Sequence, residues 1–191
     1  MKTLVFATNN KHKIDEVKAI LDGQFELKSL EDIGCDVDIP ETGATFEANA
    51  ALKTQYIKDV YGLDSIGDDS GLVVEALNNE PGIYSARYSG TRDMDKNIAL
   101  LLSNLEGQDN RKASFITVIS LILNGESYSF EGRIDGHIIS EIRGVGGFGY
   151  DPVFIPEGYA KTFAEMSALE KNEISHRAIA VNKLAVFLRS R

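Results

Sequence analysis

The sequence predicts an α/β fold in which helices flank an elongated mixed sheet. Three observations predict it: an apolar strand near the N-terminus leads directly into a helical pattern, further strands and helices alternate along the chain, and a tight hairpin lies beyond the middle. A chain of 191 residues is long enough for one domain with a substantial core, with room for two lobes around one cleft.

The first third of the chain is predicted to contain two strands and two helices. Residues 2–7 form a short buried strand, and apolar residues then recur at helical spacing until Gly23 ends the helix. A second strand is expected at about residues 25–30, ahead of an acidic loop, and a second helix over residues 45–61. The expected apolar face of that helix consists of Phe46, Ala50, Ile57 and Tyr61.

The middle of the chain is predicted to contain an interrupted strand, a helix and a hairpin. Residues 65–76 are typical of a strand, but the small and acidic run over residues 67–71 predicts a turn inside it. Asp93 is predicted to cap a helix. Apolar residues on both sides of Asn124-Gly125 predict a hairpin over residues 115–134 with a two-residue primed turn.

The C-terminal part is predicted to be helical. The spacing of Ser167 and Glu170 is that of a capping box. Ser175 is expected to precede a last helix, whose apolar positions are Val181, Leu184 and Leu188.

Composition excludes several classes of partner. The net charge of −9 and the pI of about 4.9 argue against a nucleic-acid polymer or an anionic membrane, since both are bound by surplus Lys and Arg. The single cysteine, Cys35, cannot form an intrachain disulfide. The apolar runs at residues 4–7 and 115–123 are too short for a signal peptide or a membrane span. We therefore expect a cytoplasmic protein.

The turn between the first strand and the first helix has the features of a phosphate site. Residues 8–13 read Thr-Asn-Asn-Lys-His-Lys, so free N–H groups at a helix N-terminus would lie beside Lys11 and Lys13. The segment matches neither a P-loop nor a Rossmann glycine motif. The alternative is that Asn10 only caps the helix and the lysines are solvated.

Acidic residues form a second candidate site. Asp68 and Asp69 follow an apolar strand, and Glu41 lies in an acidic loop. Neighbouring carboxylates repel one another unless a cation neutralises them, and Mg²⁺ both neutralises carboxylates and bridges phosphate oxygens. The alternative is a turn with exposed acids.

The start of the last helix offers hydrogen-bond donors. His176 and Arg177 follow Ser175, and Lys171 precedes Ser175 by one helical turn. This arrangement suits recognition of the keto oxygens of a ring. The alternative is an ordinary surface pair. Lys53 and Arg87 are cations of uncertain role on the sequence alone.

A glycine-rich run precedes the C-terminal helices. Residues 144–152 contain four glycines with Phe148, Tyr150 and Asp151. So much backbone freedom is typical of a segment that something approaches closely, and a planar ligand against Phe148 or Tyr150, fixed by Asp151, would explain it. The alternative is a glycine hinge whose aromatic residues belong to the core.

These segments together resemble one family. TNNKHK, IPETGATFEANAALK, GDDSGL, EPGIYSARYSG, GGFGYDPVF and EKNEISHR occur here in the order found in the inosine/xanthosine triphosphate pyrophosphatases, from residue 2 to about residue 188. One departure is Asn9, where many members carry glycine. Asparagine tolerates positive φ better than most residues, which would preserve the turn.

The resemblance implies a function and a set of site residues. Residues 1–191 would be a single nucleoside triphosphate pyrophosphatase domain, a homodimer with its active site in a cleft between two lobes, using Mg²⁺ to release pyrophosphate from deaminated purine nucleotides. Glu41 and Asp69 would bind the metal ion or its water shell, and Asp69 would be the catalytic base. The implied substrate-binding residues are Thr8, Asn9, Asn10, Lys11, His12, Lys13, Lys53, Ser70, Phe148, Gly149, Tyr150, Asp151, Lys171, His176 and Arg177.

Two alternatives remain at this point. One is a pyrophosphatase of similar architecture that acts on other modified nucleotides, pyrimidines included. The other is a nucleotide sensor without turnover, against which Asp69 and Glu41 argue, since binding alone needs no base beside a metal ion.

Overall fold

The computed structural model describes residues 2–21 and 25–190, apart from the side chains of His12, Glu16, Ala19 and Ile20. Within these residues, strands and helices alternate along much of the chain. In order they are β1 (Lys2–Phe6), α1 (Lys11–Leu21), β2 (Phe25–Lys28), α2 (Phe46–Tyr61), β3 (Ser65–Val74), α3 (Met94–Asn104), β4 (Lys112–Leu123), β5 (Glu126–Ile138), β6 (Phe154–Pro156), α4 (Ala168–Ile174) and α5 (His176–Arg189).

The strands form a mixed sheet with the order β2-β1-β3-β4-β5-β6. β1 pairs in parallel with β2 and with β3, whereas β5 and β6 are antiparallel. The predicted α/β class with a mixed sheet and flanking helices is therefore confirmed. No helix within the described residues is long and apolar enough to cross a bilayer.

The chain divides into two compact units. The first unit comprises Met1–Asp69, Thr117–Glu131 and Ala178–Arg191. Its core is built largely from β1, α1 and α5, where Leu4, Val17 and Leu184 are fully buried. A smaller cluster in the same unit packs Ile57 of α2 against Val5 and Leu30.

The second unit comprises Ser70–Ile116 and Gly132–Arg177. Its core joins Leu101 of α3 to Phe154 of β6 and to Phe163. Phe115 of β4 packs edge-on against Phe154, with 4.8 Å between the ring centroids. The 3-10 turn Gly82–Arg87 also belongs to this unit.

Local sequence features determine the starts of three helices. The side chain of Thr45 accepts a hydrogen bond from the Ala48 N–H at the start of α2, and Asp93 caps α3 in the same way. Both hydrogen bonds of the predicted capping box are present at Ser167. Each cap satisfies an N–H group that has no partner within its helix. The predicted end of α1 at Gly23 lies outside the described residues.

The hairpin prediction is confirmed. Asn124 and Gly125 connect β4 to β5 with φ angles of 52° and 86°, both positive, as a primed turn of type I′ requires.

The predicted interruption of the third strand is wrong. β3 runs continuously from Ser65 to Val74. Gly67 meets a steric requirement instead, because a Cβ atom there would lie 2.6 Å from the carbonyl oxygen of Ala50 in α2. The glycine allows α2 to pack closely on β3.

Candidate active site

The predicted phosphate segment forms the turn from β1 into α1 in the first unit. The Asn10 side chain accepts a hydrogen bond from the Lys13 N–H at 3.4 Å, and Thr8 Oγ accepts one from the Asn10 N–H at 3.2 Å. Asn10 therefore acts as a helix cap. Asn9 is not among the described non-glycine residues with positive φ, so the turn does not need a glycine at that position. Lys11 is exposed, and the His12 side chain lies outside the described atoms.

Lys13 extends from this turn to Asp68, in the first half of β3. Its Nζ lies 2.7 Å from the carboxylate of Asp68, whose side chain is only 2% exposed. A carboxylate so deeply buried is stable as an anion only beside a cation. Lys13 supplies that cation, so the predicted phosphate segment and the predicted acidic segment are in direct contact.

Lys53 of α2 connects the acidic loop that contains Glu41 to Asp68. Its Nζ lies 2.5 Å from the Glu41 carboxylate and donates to the Asp68 carbonyl oxygen at 2.7 Å. Burial disfavours the charged lysine, but the negative charge of Asp68 and the hydrogen bond to Glu41 outweigh it and raise the pKa of Lys53. Lys53 is therefore a stable cation among carboxylates.

Asp69 has a partner that the sequence analysis missed. The carboxylate is buried, and its Oδ2 accepts a hydrogen bond from Asn49 Nδ2 at 3.0 Å. Asn49 was not placed on the apolar face of the second helix, yet it is fully buried there, one turn before Lys53. The four-residue spacing of Asn49 and Lys53 puts the two side chains on one helical face, and this spacing indicates that Asn49 faces the same site as Lys53. We call Lys13, Glu41, Lys53, Asp68 and Asp69 the lysine–carboxylate cluster.

In the second unit, Asp151 organises the glycine-rich run. Its Oδ2 accepts a hydrogen bond from the Phe148 N–H at 2.8 Å. Gly147 has a φ angle of +73°, and a Cβ atom at that position would collide with this same carboxylate oxygen. The conformation of the run therefore depends on a glycine immediately beside Asp151.

Two cations lie against the aromatic ring of this run. Lys171 Nζ is 2.5 Å from Asp151 Oδ2 and 4.8 Å from the centre of the Phe148 ring, and the Arg177 guanidinium is 5.4 Å from that centre. Burial raises the pKa of Asp151, although Lys171 and the Phe148 N–H act in the opposite direction. We call Phe148, Asp151, Lys171 and Arg177 the aromatic cluster.

The other predicted residues of this unit have different environments. His176 is buried and stacks on Phe115, with 4.8 Å between the ring centres. Tyr150 is also buried, and its hydroxyl donates to the Ser85 carbonyl oxygen at 2.8 Å. Tyr150 therefore belongs to the core, and of the two aromatic residues only Phe148, at 39% exposed, is accessible to a ligand. Gly149 has positive φ and open space around its Cα, and Ser70 follows Asp69 within β3.

The carboxylates of the first unit do not form a closed metal cage. Among the residues that the structure describes, no three His, Cys, Asp or Glu side chains converge as ligands. Glu41 and Asp69 nevertheless carry carboxylate oxygens of the type that Mg²⁺ takes, and Mg²⁺ is commonly bound by one or two carboxylates together with waters and substrate phosphates.

In the first unit, partly buried lysines beside carboxylates are typical of a phosphate-binding cluster, and in the second unit, cations against a partly exposed aromatic ring are typical of a cluster that binds a planar ring. These features define a nucleotide-binding class of protein. The chain belongs to the Ham1 family, whose model matches residues 4–187.

Known relatives match the chain over nearly its full length. A dITP/XTP pyrophosphatase of Porphyromonas gingivalis is 52% identical over 190 residues, which covers 98% of each chain. The corresponding protein of Bacillus licheniformis is 45% identical, again with 98% of each chain covered.

Solved structures agree in fold. The Staphylococcus aureus Ham1 protein superimposes with a TM-score of 0.94 at 41% identity, covering 99% of each chain. A HAM1 protein from Coxiella burnetii gives a TM-score of 0.95 at 37% identity, covering all of both chains.

Proposed function

We propose that this protein hydrolyses the deaminated purine nucleotides ITP, dITP and XTP to the monophosphate and pyrophosphate, which removes them from the nucleotide pool. The relatives named for dITP and XTP hydrolysis support this substrate class. The observation that carries the proposal is the lysine–carboxylate cluster, because it combines cations for phosphate with a buried carboxylate for proton transfer.

The residues of the first unit fit a triphosphate with Mg²⁺. The turn of residues 8–13 and Lys53 bind the phosphates through backbone N–H groups and lysine charges. Glu41 and Asp69 supply carboxylate oxygens, the donor type that Mg²⁺ takes. When bound, the metal ion supplies charge neutralisation at the phosphate oxygens. Asp68 keeps Lys13 in place through their ion pair.

Asp69 acts as the general base. Its carboxylate is buried, and Oδ2 accepts a hydrogen bond from Asn49. In the proposed step the carboxylate takes a proton from the attacking water. A positioned carboxylate of this kind accelerates a hydrolytic step by about a hundred- to ten-thousandfold. Ser70, the next residue of β3, contacts the substrate.

The residues of the second unit bind the base. The exposed face of Phe148 stacks on the purine, while Lys171, His176 and Arg177 donate hydrogen bonds and Asp151 holds Lys171. Donors that face the 6-keto oxygen of hypoxanthine or xanthine would face the 6-amino group of adenine instead. Because that amino group is also a donor, no hydrogen bond would form. Such a mismatch costs about 1–3 kcal/mol.

The assembly and setting belong to the same proposal. We propose that the 191 residues work as one pyrophosphatase domain, in a homodimer, in the cytoplasm, with a nucleotide and neither a nucleic-acid polymer nor a membrane as the partner. The charge of −9 supports the last point.

A substrate panel tests the proposal. Pyrophosphate release is measured for ITP, dITP, XTP, GTP, ATP and a modified pyrimidine triphosphate, each with Mg²⁺ and with a chelator. We expect Mg²⁺-dependent release of pyrophosphate from ITP, dITP and XTP, with ATP at least about tenfold slower. Faster turnover of the pyrimidine would favour a pyrophosphatase for other modified nucleotides, and tight binding without turnover would favour a sensor.

A further inference from the structure

Asn49 is a fully buried polar side chain in contact with the lysine–carboxylate cluster. It lies in the first full turn of α2 and is 0% exposed. A buried amide must satisfy its hydrogen-bonding groups or lose about 1–3 kcal/mol of stability. The amide nitrogen and the amide oxygen of Asn49 each make a hydrogen bond in or beside the cluster.

The two contacts link different parts of the first unit. Asn49 Nδ2 donates to Asp69 Oδ2 at 3.0 Å, and Asn49 Oδ1 accepts from the Gly43 N–H at 2.8 Å. Gly43 lies two residues after Glu41, which in turn contacts Lys53 at 2.5 Å. One side chain thus connects the strand that carries Asp69 to the loop that carries Glu41.

The hydrogen bond to Asn49 also explains why residue 43 is a glycine. Its φ angle is not in the left-handed region, so backbone freedom does not explain it. A Cβ atom at this position would lie 2.7 Å from the Ala48 Cβ and 2.8 Å from Asn49 Oδ1. Any side chain would push the loop away from Asn49, so the glycine preserves this hydrogen bond.

We propose that Asn49 is a positioning residue for the hydrolytic step: it orients the Asp69 carboxylate and holds the Glu41 loop at a fixed distance from it. The inference rests on the proposed function, since it assigns Asn49 a role through Asp69. With one carboxylate oxygen engaged by the amide, the other is directed at a constant angle. Asn49 itself touches no reacting atom.

Three single variants separate this role from plain helix stability. Asn49→Ala removes both contacts, and Gly43→Ala disturbs the loop contact while leaving the donation to Asp69 possible. Thr45→Ala is the matched control, because it removes the hydrogen bond of 3.1 Å from the Ala48 N–H that caps the same helix, and neither Asp69 nor Gly43 takes part in that bond. The measurements are kcat and KM for ITP, the midpoint of thermal unfolding, and calorimetric binding of IMP.

We expect Asn49→Ala to lower kcat by about ten- to a hundredfold, as misplacement of a reacting group by a fraction of an ångström does, while KM and IMP affinity change less than about threefold. Gly43→Ala should lower kcat by a smaller factor in the same direction. Thr45→Ala should lower the unfolding midpoint and leave kcat within about twofold.

A double variant provides the decisive readout. If Asn49 acts through Asp69, adding Asn49→Ala to Asp69→Ala should change the residual kcat less than about twofold, because the group that it positions is gone. A further tenfold loss in that background would overturn the proposal, as would an unchanged kcat in Asn49→Ala. If Asn49→Ala does not fold, a normal kcat in Gly43→Ala overturns it instead. Absence of ITP hydrolysis by the unmodified protein would refute the proposed function, a result distinct from all of these.

Discussion

The lysine–carboxylate cluster of the first unit and the aromatic cluster of the second unit both contain a buried aspartate bound to a lysine, but the surroundings differ. In the first, Lys13 pairs with Asp68 and Lys53 with Glu41, among further carboxylates. In the second, Asp151 is the single acid, and it binds both Lys171 and the Phe148 N–H.

This difference indicates two uses of one kind of ion pair. In the first unit, the proposed function requires each lysine to bind phosphate while its carboxylate partner holds it in place, since an ammonium group has three N–H donors. In the second unit, Asp151 fixes backbone and lysine together, and its contacts are expected to persist. Changes in the first cluster should therefore alter rate and phosphate binding, and changes in the second should alter base discrimination and local stability.

The largest effect is expected for Asp69→Asn. Loss of the general base should lower kcat for ITP by at least about a hundredfold, while substrate binding stays within about tenfold. Steady-state kinetics and calorimetry with a non-hydrolysable analogue measure the two quantities. Near-normal turnover in this variant would remove Asp69 from the mechanism.

Lys13→Ala should weaken triphosphate binding. The lost charge-assisted hydrogen bond should raise KM for ITP by about ten- to a hundredfold, with a smaller loss in affinity for IMP. Lys18→Ala, an exposed lysine of the same helix, is the control and should change neither value. Equal losses of affinity for ITP and IMP would show that Lys13 does not contact the second or third phosphate of the triphosphate.

Arg177→Ala tests the base side of the comparison. It should reduce the ratio of kcat/KM for ITP over ATP by about tenfold or more, because only a 6-keto base uses the donor. Arg133→Ala changes an exposed arginine of the same unit and should leave the ratio unchanged. An unaltered ratio in Arg177→Ala would assign base recognition to the run around Phe148 instead.

The smallest effect, on stability, is expected at Gly147. Gly147→Ala introduces both a left-handed alanine and a collision with Asp151, whereas Gly107→Ala has the same φ of +73° in open space. The left-handed conformation costs about 1–2 kcal/mol in either variant. Gly147→Ala should therefore lose more unfolding free energy than Gly107→Ala in denaturant titrations. Equal losses would show that the contact with Asp151 adds nothing.

Much of the fold could be predicted because local patterns specify it. The caps at Asp93 and Ser167 and the turn at Asn124 each depend on residues a few positions apart. The continuity of β3 could not be predicted, since Gly67 is required by the carbonyl of Ala50 in another element. A glycine in a sequence can mark a turn or allow close packing of a neighbouring element, and the residue type alone does not distinguish these two roles.

The candidate site shows the same limit. The segments that contain Lys13, Asp68 and Asp151 were found from residue type and order, and the structure brings residues of each unit together as contacts. The core position of Tyr150 is one of the two alternatives that the glycine-rich run allows, whereas the burial of Asn49 is not among the sequence-based predictions. The spacing of Asn49 and Lys53 indicates a shared helical face, but periodicity along one segment does not identify the contact of Asn49 with Asp69 or that of Tyr150 with Ser85.

The close contact of Gly43 with Asn49 also limits how this sequence can evolve. A larger residue at position 43 collides with the asparagine, and a smaller residue at position 49 leaves the Gly43 N–H and the Asp69 carboxylate without their partner. Neither position can change first without a loss, so the two are expected to be inherited as a pair. Substitutions at position 49 should appear in descendants only when another residue takes over the amide's two hydrogen bonds.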